Sequence, residues 1–570
     1  MGSTISGGKE DSMGTYLNPG MKSFQMSVNS EIFVDKSAMI SYLNTVVNTQ
    51  QRYVSVSRPR RFGKTMAADM ICAYYGRETN SRKLFEKRKL AECAPARVGD
   101  SVIQWDTYLG GFDVIRLVMT KFFKKNTSAT SALDKMQRLV VREIMRKYPE
   151  QDYISENDLI QAIEDAYLDS DKQLVIVIDE WDALFRERPN DKDGQTEYLD
   201  FLRDLMKDNQ HIALAYMTGI LPIKKYGMHS ALNMFTEYSM IFPRQLAQYT
   251  GFTEAEVRQL CNQHGRDYDK IREWYDGYEV SDIIPPDPDH QVQIETGKPP
   301  AATRYALYSP LSVVEAMTTG VIKDYWNKTE TYEALADYIR MDYDGLKDAV
   351  ALLMNGGRLK IDTSAYQNDM TTFHSKDDIL SLLIHLGYLG FDDENSEVFI
   401  PNNEILDEFK TSTKDKEWAD AFAAFKTSSE LVKATWAKDA VKVAELLEKA
   451  HNRAGNKTYN DEAALSYAIQ LAYYAARKYY TVILELESGK GAADVVFLPS
   501  PKYPHIPALV VELKYSKTAK GAIDQIRRQE YPDRLEHYRG NILLVGINYD
   551  KDVPHTHPDF KHHTCVIEEA

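Results

Sequence analysis

The stretch that decides the fold of the N-terminal part reads RYVSVSRPRRFGKTMAADMICAYY and runs from Arg52 to Tyr75. Its opening residues, Arg52–Ser57, alternate in a β-rich pattern that predicts a strand. A turn at Gly63 and Lys64 follows, and the residues after it fit a helix that Gly76 stops. The stretch therefore predicts a strand, a tight loop and a helix in succession.

A loop in this position, between a strand and a helix, is the setting of a phosphate-binding loop. Backbone N–H groups at the start of the helix face the phosphates, Lys64 reaches the β- and γ-phosphates, and the Thr65 hydroxyl binds Mg²⁺. The general pattern G-x-x-x-x-G-K-[ST] has its first glycine where this chain has Arg58, so the motif is incomplete. Two interpretations of Arg58, Arg60 and Arg61 stay open: they contact phosphates or a partner, or they form a solvated basic loop.

Two further apolar runs end in polar side chains. The run LVIVID (Leu174–Asp179) is typical of a strand buried in a parallel sheet, and Asp179 and Glu180 at its end form a Walker B arrangement. Asp179 would hold Mg²⁺, and Glu180 would orient or deprotonate the attacking water. The alternative is that the two acids only cap and begin a helix. The run ALAYMTG (Ala213–Gly219) predicts another strand, in which Thr218 either senses the γ-phosphate or simply ends the strand.

The loop and the acid pair, with four more segments, resemble the bacterial AAA-ATPase-like domain. In that group the Arg-Pro-Arg-Arg-Phe-Gly-Lys loop is itself usual, so Arg58 departs only from the general pattern. The resemblance implies a P-loop ATPase module that binds ATP and Mg²⁺ through Arg61, Phe62, Gly63, Lys64, Thr65, Asp179 and Thr218. The segments that carry it are VDKSAMI (Val34–Ile40), SRPRRFGKT (Ser57–Thr65), IDEWD (Ile178–Asp182), TGILPIKK (Thr218–Lys225), WYDGY (Trp274–Tyr278) and YSPLSVVEAM (Tyr308–Met317).

A second set of charged residues lies near the C-terminus, where the predicted order is helix, three strands, helix and strand. The strands AADVVFL and ALVVELKY carry Asp494, Glu512 and Lys514. Glu512 and Lys514 are two residues apart and share one face of their strand, where burial is costly unless the charges have partners or a chemical role. Two carboxylates can hold a divalent metal, and a lysine beside them can position water for phosphodiester hydrolysis. The alternative is an exposed ion pair on an edge strand.

These strands resemble the PD-(D/E)XK nuclease superfamily, in the C-terminal form often fused to the AAA-ATPase-like domain. The segments ESGKGAADVVF, VELK and AIDQI carry this resemblance. It implies a restriction-endonuclease-like α/β domain in which Asp494 and Glu512 bind Mg²⁺ or Mn²⁺ and Lys514 is catalytic. Glu462 on the preceding helix would supply a further carboxylate, and Gln525 on the following helix would align the water or the phosphate.

Composition and charge exclude several other classes of protein. Hydrophobic residues make up 43% and charged residues 27%, which is ordinary for a globular protein, and no apolar run reaches the ~18 residues of a membrane helix. The four cysteines lack C-x-x-C spacing, which fits a cytoplasmic protein without a structural zinc site. The net charge of -15 lies in residues 1–410, because residues 411–570 carry 22 basic and 22 acidic side chains. A nucleic-acid partner would therefore be held by local basic patches.

We expect a multidomain α/β chain with two chemical sites. Residues 1–20 would form a flexible tail, 21–285 the ATPase-like domain, 286–410 a helical or winged-helix-like connector and 411–570 the nuclease-like domain. The favoured function is an ATP-binding and ATP-hydrolysing module that controls a Mg²⁺-dependent nuclease. Family analogy favours DNA over RNA as the substrate and suggests defence against foreign DNA.

Two points stay open in this reading. The alternative function is a non-catalytic, nucleotide-dependent switch that binds nucleic acid or protein without cleavage. AAA relatives often assemble into rings, so a homo-oligomer is an option, although the sequence assigns no arginine finger.

Four histidines near the C-terminus, His555, His557, His562 and His563, are interpreted as a solvated terminus rather than a metal site.

Overall fold

The computed structural model describes two compact units, Met1–Thr329 with Ile361–Asp407 and Glu330–Lys360 with Glu408–Ala570. The described part of the chain is residues 14–570 without the following positions: 78–79, 169, 171, 224–231, 284–301, 327–334, 336–337, 340–344, 368–369, 414–415, 455–468, 470–471, 474, 477–478, 489–490, 500–502, 529–534, 536–537, 539, 551 and 554–561.

A five-stranded parallel sheet organises the first unit. Its strands are β1 (Tyr53–Ser57), β2 (Asp113–Val118), β3 (Leu174–Asp179), β4 (Ile212–Gly219) and β5 (Thr236–Tyr238). They lie in the order β2–β3–β4–β1–β5, and each neighbouring pair is parallel. The predicted α/β sheet is confirmed, and β4 separates the strand before the Gly-Lys loop from the strand that ends in the acid pair.

Alternating side chains of these strands build the core of the first unit. Val54 and Val56 on β1 and Val175 and Val177 on β3 are buried in one cluster with the helix Lys64–Tyr75. Burial of each such side chain stabilises the fold by roughly 1.5–3 kcal/mol. The helix that follows the loop is therefore fixed against the sheet.

The chain is anchored from Thr15 onward, because the backbone N–H groups of Tyr16 and Leu17 donate to Glu143 at 2.8 and 2.9 Å.

Helices cover this sheet and continue beyond it. The α-helices of this unit are Lys22–Val28, Met39–Val46, Lys64–Tyr75, Arg82–Phe85, Lys89–Glu92, Ala129–Lys147, Leu159–Tyr167, Ala183–Glu187, Lys192–Met206, Glu254–His264, Tyr268–Tyr275, Pro310–Thr319 and Lys376–Leu386, and the helix Asn403–Ser412 begins in it.

Short antiparallel strands complete the first unit. Ala302–Tyr308 pairs with both Phe252–Thr253 and Tyr278–Ile283. Gly390–Asp392 pairs with Glu397–Phe399. A further hairpin joins Ala96–Val98 to Ser101–Ile103.

The second unit is built on a mixed five-stranded sheet. Its strands are β6 (Tyr480–Ser488), β7 (Gly491–Pro499), β8 (Ala508–Tyr515), β9 (Ile542–Tyr549) and β10 (His563–Glu569), in sequential order across the sheet. β8 and β9 are parallel, and the other neighbouring pairs are antiparallel. The helices of this unit include Leu346–Met354, Lys416–Trp436, Ala440–Ala454 and Ala519–Arg528.

The C-terminal end of the second unit differs from the prediction. The predicted order ends with one strand after the last helix, whereas β10 adds an edge strand that pairs with β9. The Nδ1 atoms of His562 and His563 contact the two carboxylate oxygens of Glu448 at 2.6 and 2.8 Å, and His563 is buried. The solvated-terminus interpretation is therefore wrong for these two histidines, whereas His555 and His557 lie outside the described residues.

Candidate functional site

The loop after β1 turns through two residues in the left-handed region. Arg61 has a φ of 66° and Gly63 a φ of 85°, a conformation that glycine adopts at little cost and other residues rarely adopt. Gly63 also precedes the helix Lys64–Tyr75, and no side chain caps that helix. The N–H groups of its first turn can therefore serve an anion.

Arg58 faces neither phosphates nor solvent. Its side chain is fully buried, and Nη1 donates to the carbonyl oxygens of Ser57 and Tyr238, both at 2.8 Å. Nη2 donates to the carbonyl oxygen of Leu246 at 3.4 Å. Burial lowers the pKa of Arg58 to about 10. Both interpretations of this arginine are wrong, because it joins the end of β1 to β5 and to the segment Arg244–Tyr249.

The next two predicted residues also contact protein. The Nη1 atom of Arg61 lies 3.5 Å from the carbonyl oxygen of Tyr325. The ring of Phe62 packs edge-on against Tyr278, with 5.3 Å between ring centroids, and its carbonyl oxygen accepts from the N–H of Gly251 at 3.0 Å. These contacts hold the loop in its turned conformation.

Lys64 folds back onto the loop that precedes it. Its Nζ donates to the carbonyl oxygens of Arg58 at 3.0 Å and Pro59 at 2.8 Å. Burial lowers the pKa of Lys64, while the carboxylates of Glu180 and its neighbours oppose that shift. The amine thus sits at the centre of the loop, bound to oxygens that phosphate oxygens can replace.

The acid pair lies at the carboxyl end of β3, as predicted. The helix that follows begins at Ala183, with Asp182 in the capping position, so the alternative that Asp179 and Glu180 cap a helix is wrong. Glu180 has a φ of 55°, and its Oε2 forms an ion pair with Nη2 of Arg186. Burial raises the pKa of Glu180, and the charges of Lys64 and Arg186 counteract this.

Asp182 ties this acidic loop to the end of β4. Its Oδ2 accepts from the N–H groups of Ile220 at 3.1 Å and Leu221 at 3.0 Å. The same oxygen lies 3.2 Å from Nε of Arg186. Because Asp182 is completely buried, these contacts fix the loop between β3 and the helix Ala183–Glu187.

Asp179 fits the metal site that the sequence predicted. It is 1% exposed, neither carboxylate oxygen accepts a hydrogen bond, and the nearest described cation, Nη2 of Arg116, lies 3.6 Å from Oδ2. Arg116 is shared with Asp69 on the helix Lys64–Tyr75. A buried carboxylate with unused acceptor capacity is a suitable ligand for a hard cation such as Mg²⁺. The exposed Thr65 could supply a hydroxyl from the first turn of that helix.

Thr218 is buried inside β4, opposite Asp179 in the strand register. Its hydroxyl donates to the carbonyl oxygen of Val56 at 2.9 Å. The side chain is thus engaged between β4 and β1 in this structure.

A cavity of about 430 Å³ begins at the loop. Its polar wall includes Lys64, Thr65 and Glu180, and its opposite walls are largely apolar. This volume lies within the ~300–1,000 Å³ of ordinary small-molecule sites. The apolar and aromatic residues that line it include Phe24, Ile32, Phe33, Val34, Met66, Met70, Tyr249, Phe252, Leu311 and Val314.

The second predicted site forms in the middle of the other sheet. The Oδ2 atom of Asp494 on β7 accepts from the N–H of Leu513 on β8 at 2.7 Å. Glu512 and Lys514 flank Leu513 on β8, and the Nζ of Lys514 donates to Oε1 of Glu512 at 2.8 Å. The structure therefore brings Asp494, Glu512 and Lys514 together.

The alternative of an exposed edge pair is wrong for Glu512 and Lys514. Strand β8 has neighbours on both sides, and the two residues are only 1% and 8% exposed. Carboxylates suit Mg²⁺ or Mn²⁺ as ligands. Among the residues that the structure describes, no cluster of three or more His, Cys, Asp or Glu residues is arranged to hold a metal ion. A metal here would keep water or substrate ligands beside two carboxylates, as Mg²⁺ usually does.

Of the two accessory residues, Gln525 belongs to the described part of the chain and Glu462 does not. Gln525 lies half-buried on the helix Ala519–Arg528, which buries Ile523 and Ile526. Glu462 lies outside the described residues. Their proposed roles stay predictions.

Sequence reasoning missed the arginines that contact the acid pair. Arg116 lies within the apolar run DVIRLV of β2, and Arg186 lies one helical turn after Asp182. The four-residue spacing of Asp182 and Arg186 was a readable signal of an ion pair. The contact of Arg116 with Asp69 and Asp179 had no local signal, because 47 residues separate Arg116 from Asp69.

Two family models match the chain. One described as "Predicted AAA-ATPase" matches residues 19–229, and one for the PD-(D/E)XK nuclease superfamily matches residues 464–554. An uncharacterised protein from the vnfD 5' region of Azotobacter chroococcum mcd 1 is 24% identical over 185 residues, which are 31% of this chain and 31% of that protein. The chain thus matches less than a third of the length of this curated relative.

Two solved structures are similar at low levels. The Walker-type ATPase PABY2304 of Pyrococcus abyssi is 12% identical, with a TM-score of 0.30, over 66% of this chain and 94% of its own. The Aeropyrum pernix ORC1 protein, solved in complex with DNA, is 12% identical, with a TM-score of 0.23, over 68% of this chain and 92% of its own.

In the described part of the chain, no helix has the length and apolar character needed to cross a membrane.

Proposed function

We propose that this chain, which joins a predicted AAA-ATPase domain to a domain of the PD-(D/E)XK nuclease superfamily, is an ATP-controlled nuclease. The first unit would bind and hydrolyse ATP, and the second would cleave phosphodiester bonds with Mg²⁺ or Mn²⁺. One observation carries the ATPase half: Lys64 and Glu180 line one cavity, at the loop after β1 and the end of β3.

The residues around the cavity have distinct roles in this proposal. Lys64 exchanges the carbonyl oxygens of Arg58 and Pro59 for phosphate oxygens, and the N–H groups after Gly63 bind the same phosphates. Thr65 and Asp179 would hold Mg²⁺, which neutralises charge that develops on the phosphoryl oxygens. Glu180 orients the attacking water.

Other residues of the first unit are proposed to contact the nucleotide as well. Arg61, Phe62 and Thr218 stay candidates for nucleotide contact, although their observed partners are protein atoms. The apolar walls of the cavity suit the base of the nucleotide.

The second site supports hydrolysis of a phosphodiester. Asp494 and Glu512 would hold a divalent cation, which lowers the pKa of bound water and polarises the phosphate. Lys514 positions the water, and its contact with Glu512 keeps the amine beside the carboxylates. Gln525 would align the phosphate, and Glu462 would add a carboxylate.

The substrate and setting extend the same proposal. We favour DNA over RNA, a bacterial cytoplasmic setting and a role in defence against foreign DNA, all by analogy with the resembling family. The boundaries at residues 20, 285 and 410 and a homo-oligomeric assembly belong to this proposal too.

A nucleotide-binding measurement tests the ATPase half. Fluorescent ATP should bind the parent protein with Mg²⁺, and Lys64→Ala should weaken binding at least about tenfold, because the variant loses a charged contact worth ~1.5–3 kcal/mol. Equal affinity of the two proteins would show that the loop does not bind the phosphates.

A cleavage assay tests the nuclease half. Purified parent protein is incubated with plasmid, single-stranded DNA and RNA, with Mg²⁺ or Mn²⁺ and with or without ATP. Cleavage should disappear in Lys514→Ala and persist in Lys517→Ala, a matched loss of a lysine just beyond the end of β8. Cleavage that Lys514→Ala retains would come from a contaminant and would remove the nuclease claim.

The burial of Glu512 and Lys514 favours a second candidate function. A paired, nearly enclosed site suits a nucleotide-dependent switch that binds nucleic acid or protein without cutting it. Binding of DNA that responds to ATP, with no cleavage under any metal condition, would support this function instead.

A further inference from the structure

Arg186, on the helix Ala183–Glu187, contacts two acidic residues that follow β3, Glu180 and Asp182. We propose that Arg186 is a positioning residue for ATP hydrolysis, because its guanidinium holds the carboxylate of Glu180 at the wall of the nucleotide cavity. This inference rests on the proposed function of the first unit. It assigns a role to a residue that lies outside both the phosphate loop and the acid pair.

The guanidinium is held at both of its ends. Its Nε lies 3.2 Å from Oδ2 of Asp182, and its Nη2 pairs with Oε2 of Glu180. Asp182 cannot move easily, because it is completely buried and accepts backbone N–H groups beyond the end of β4. Because the guanidinium is planar and rigid, its contact with the fixed Asp182 also restricts the position of Glu180.

Glu180 needs such support more than a residue inside a strand does. It follows β3 in a left-handed conformation and precedes the helix that begins at Ala183. Its side chain is mostly buried, at 22% exposure, and lines the cavity, where the ion pair with Arg186 is its described side-chain contact. The pair engages Oε2, which leaves Oε1 as the oxygen that orients the attacking water.

The charges around Glu180 also favour a cation beside its carboxylate. Asp179 and Asp182 face Glu180 as like charges, whereas Lys64 and Arg186 are the opposing charges. Lys64 is assigned to the phosphates in the bound state, so its attraction for Glu180 is shared with them. With Mg²⁺ offsetting Asp179 in the same state, Arg186 remains as the cation that contacts both Asp182 and Glu180.

Misplacing a water-orienting group lowers the turnover rate more than it lowers substrate affinity. In Arg186→Met we therefore expect kcat for ATP to fall about 10–100-fold, while KM stays within about threefold. Arg186→Lys should recover part of this loss, because an ammonium keeps the positive charge but lacks the planar guanidinium that fixes the position of both carboxylates. Initial rates over a range of ATP concentrations measure both constants.

A neighbouring arginine provides the matched control. Arg188 pairs with Asp191 at 3.1 Å and donates to the carbonyl oxygen of Thr127 at 2.7 Å. Arg188→Met should leave kcat within about twofold of the parent value, since it contacts no residue of the acid pair. Equal losses in Arg186→Met and Arg188→Met would show a general structural effect and overturn the proposal.

A double-mutant cycle with Glu180→Gln decides whether Arg186 acts through Glu180. If it does, Arg186→Met causes no further loss of kcat once Glu180 is replaced. Multiplicative losses in the double variant would overturn the proposal while leaving ATP hydrolysis by the parent intact. Should Arg186→Met fail to fold, Arg186→Gln, which keeps a donor, replaces it in the same cycle. A parent protein without turnover would overturn the proposed function and this inference together.

Discussion

Glu404 gives the first unit a stability that depends on pH. The residue is 1% exposed, and burial raises the pKa of its carboxyl group from 4.5 to about 7. Three donors counteract the burial: the N–H groups of Tyr325 at 2.7 Å and Trp326 at 3.1 Å, and the hydroxyl of Ser312 at 2.9 Å. A raised pKa in the folded state means that folding favours the protonated carboxyl.

The size and sign of the effect follow from linkage. The shift of roughly 2.5 pKa units corresponds to about 3 kcal/mol, at ~1.4 kcal/mol per unit. This contribution is complete below about pH 4.5, decreases as the pH rises towards 7, and is absent well above 7. Glu404→Gln keeps an oxygen that accepts hydrogen bonds but cannot titrate. The parent should therefore lose about 3 kcal/mol of stability relative to this variant between pH 4.5 and 8.5.

Urea unfolding of the parent and Glu404→Gln at successive pH values measures this difference, and groups common to both proteins cancel. Ser312→Ala removes a donor to the carboxylate, so we expect the midpoint of the parent's pH dependence to move to higher pH in that variant. A difference between parent and Glu404→Gln that stays constant across the range would show that Glu404 does not titrate with a raised pKa in the folded protein.

Three further predictions concern the two candidate sites. Gly63→Ala places a side chain at a φ of 85°, so we expect a loss of about 1–2 kcal/mol in stability and weaker ATP binding, measured by urea unfolding and by titration with a fluorescent nucleotide; unchanged affinity would contradict this. Arg58→Met leaves buried carbonyl oxygens without their donor and should cost about 1–3 kcal/mol of stability, with denaturant midpoints as the measurement; an unaltered midpoint would contradict it. Asp494→Asn should raise the Mg²⁺ concentration for half-maximal DNA cleavage at least about tenfold, and EDTA should abolish parental cleavage; cleavage that persists in EDTA would argue against a metal site.

The sequence was most informative where local pattern and tertiary structure agree. The alternating run of β1, the apolar runs of β3 and β4 and the Gly-Lys turn predicted the order of elements around the cavity, because each element is buried along its whole length. The sequence also predicted that Asp494, Glu512 and Lys514 lie close together. Two strands joined by a short connection tend to pair, and β7 and β8 do so. The domain boundaries and the chemical roles of these residues stay predictions.

Sequence reasoning failed where the partner of a charged residue is distant. Arg58 looked like part of a solvated basic loop, yet its partners include carbonyl oxygens of Tyr238 and Leu246, which are 180 and 188 residues away. His563 looked like part of a tail, yet Glu448 binds it from another element. A charged side chain can be buried when a distant residue pairs with it or accepts its hydrogen bonds. A single sequence does not reveal that residue, because the fold is what brings the two together.

The proposed function requires that the nucleotide controls cleavage. This is tested by the rate of DNA cleavage without nucleotide, with ADP, with ATP and with a non-hydrolysable ATP analogue, for the parent and for Lys64→Ala. We expect the parental rate to change with the nucleotide and the rate of Lys64→Ala to stay the same. Parental cleavage at one rate under all four conditions would show that the nucleotide does not control the nuclease.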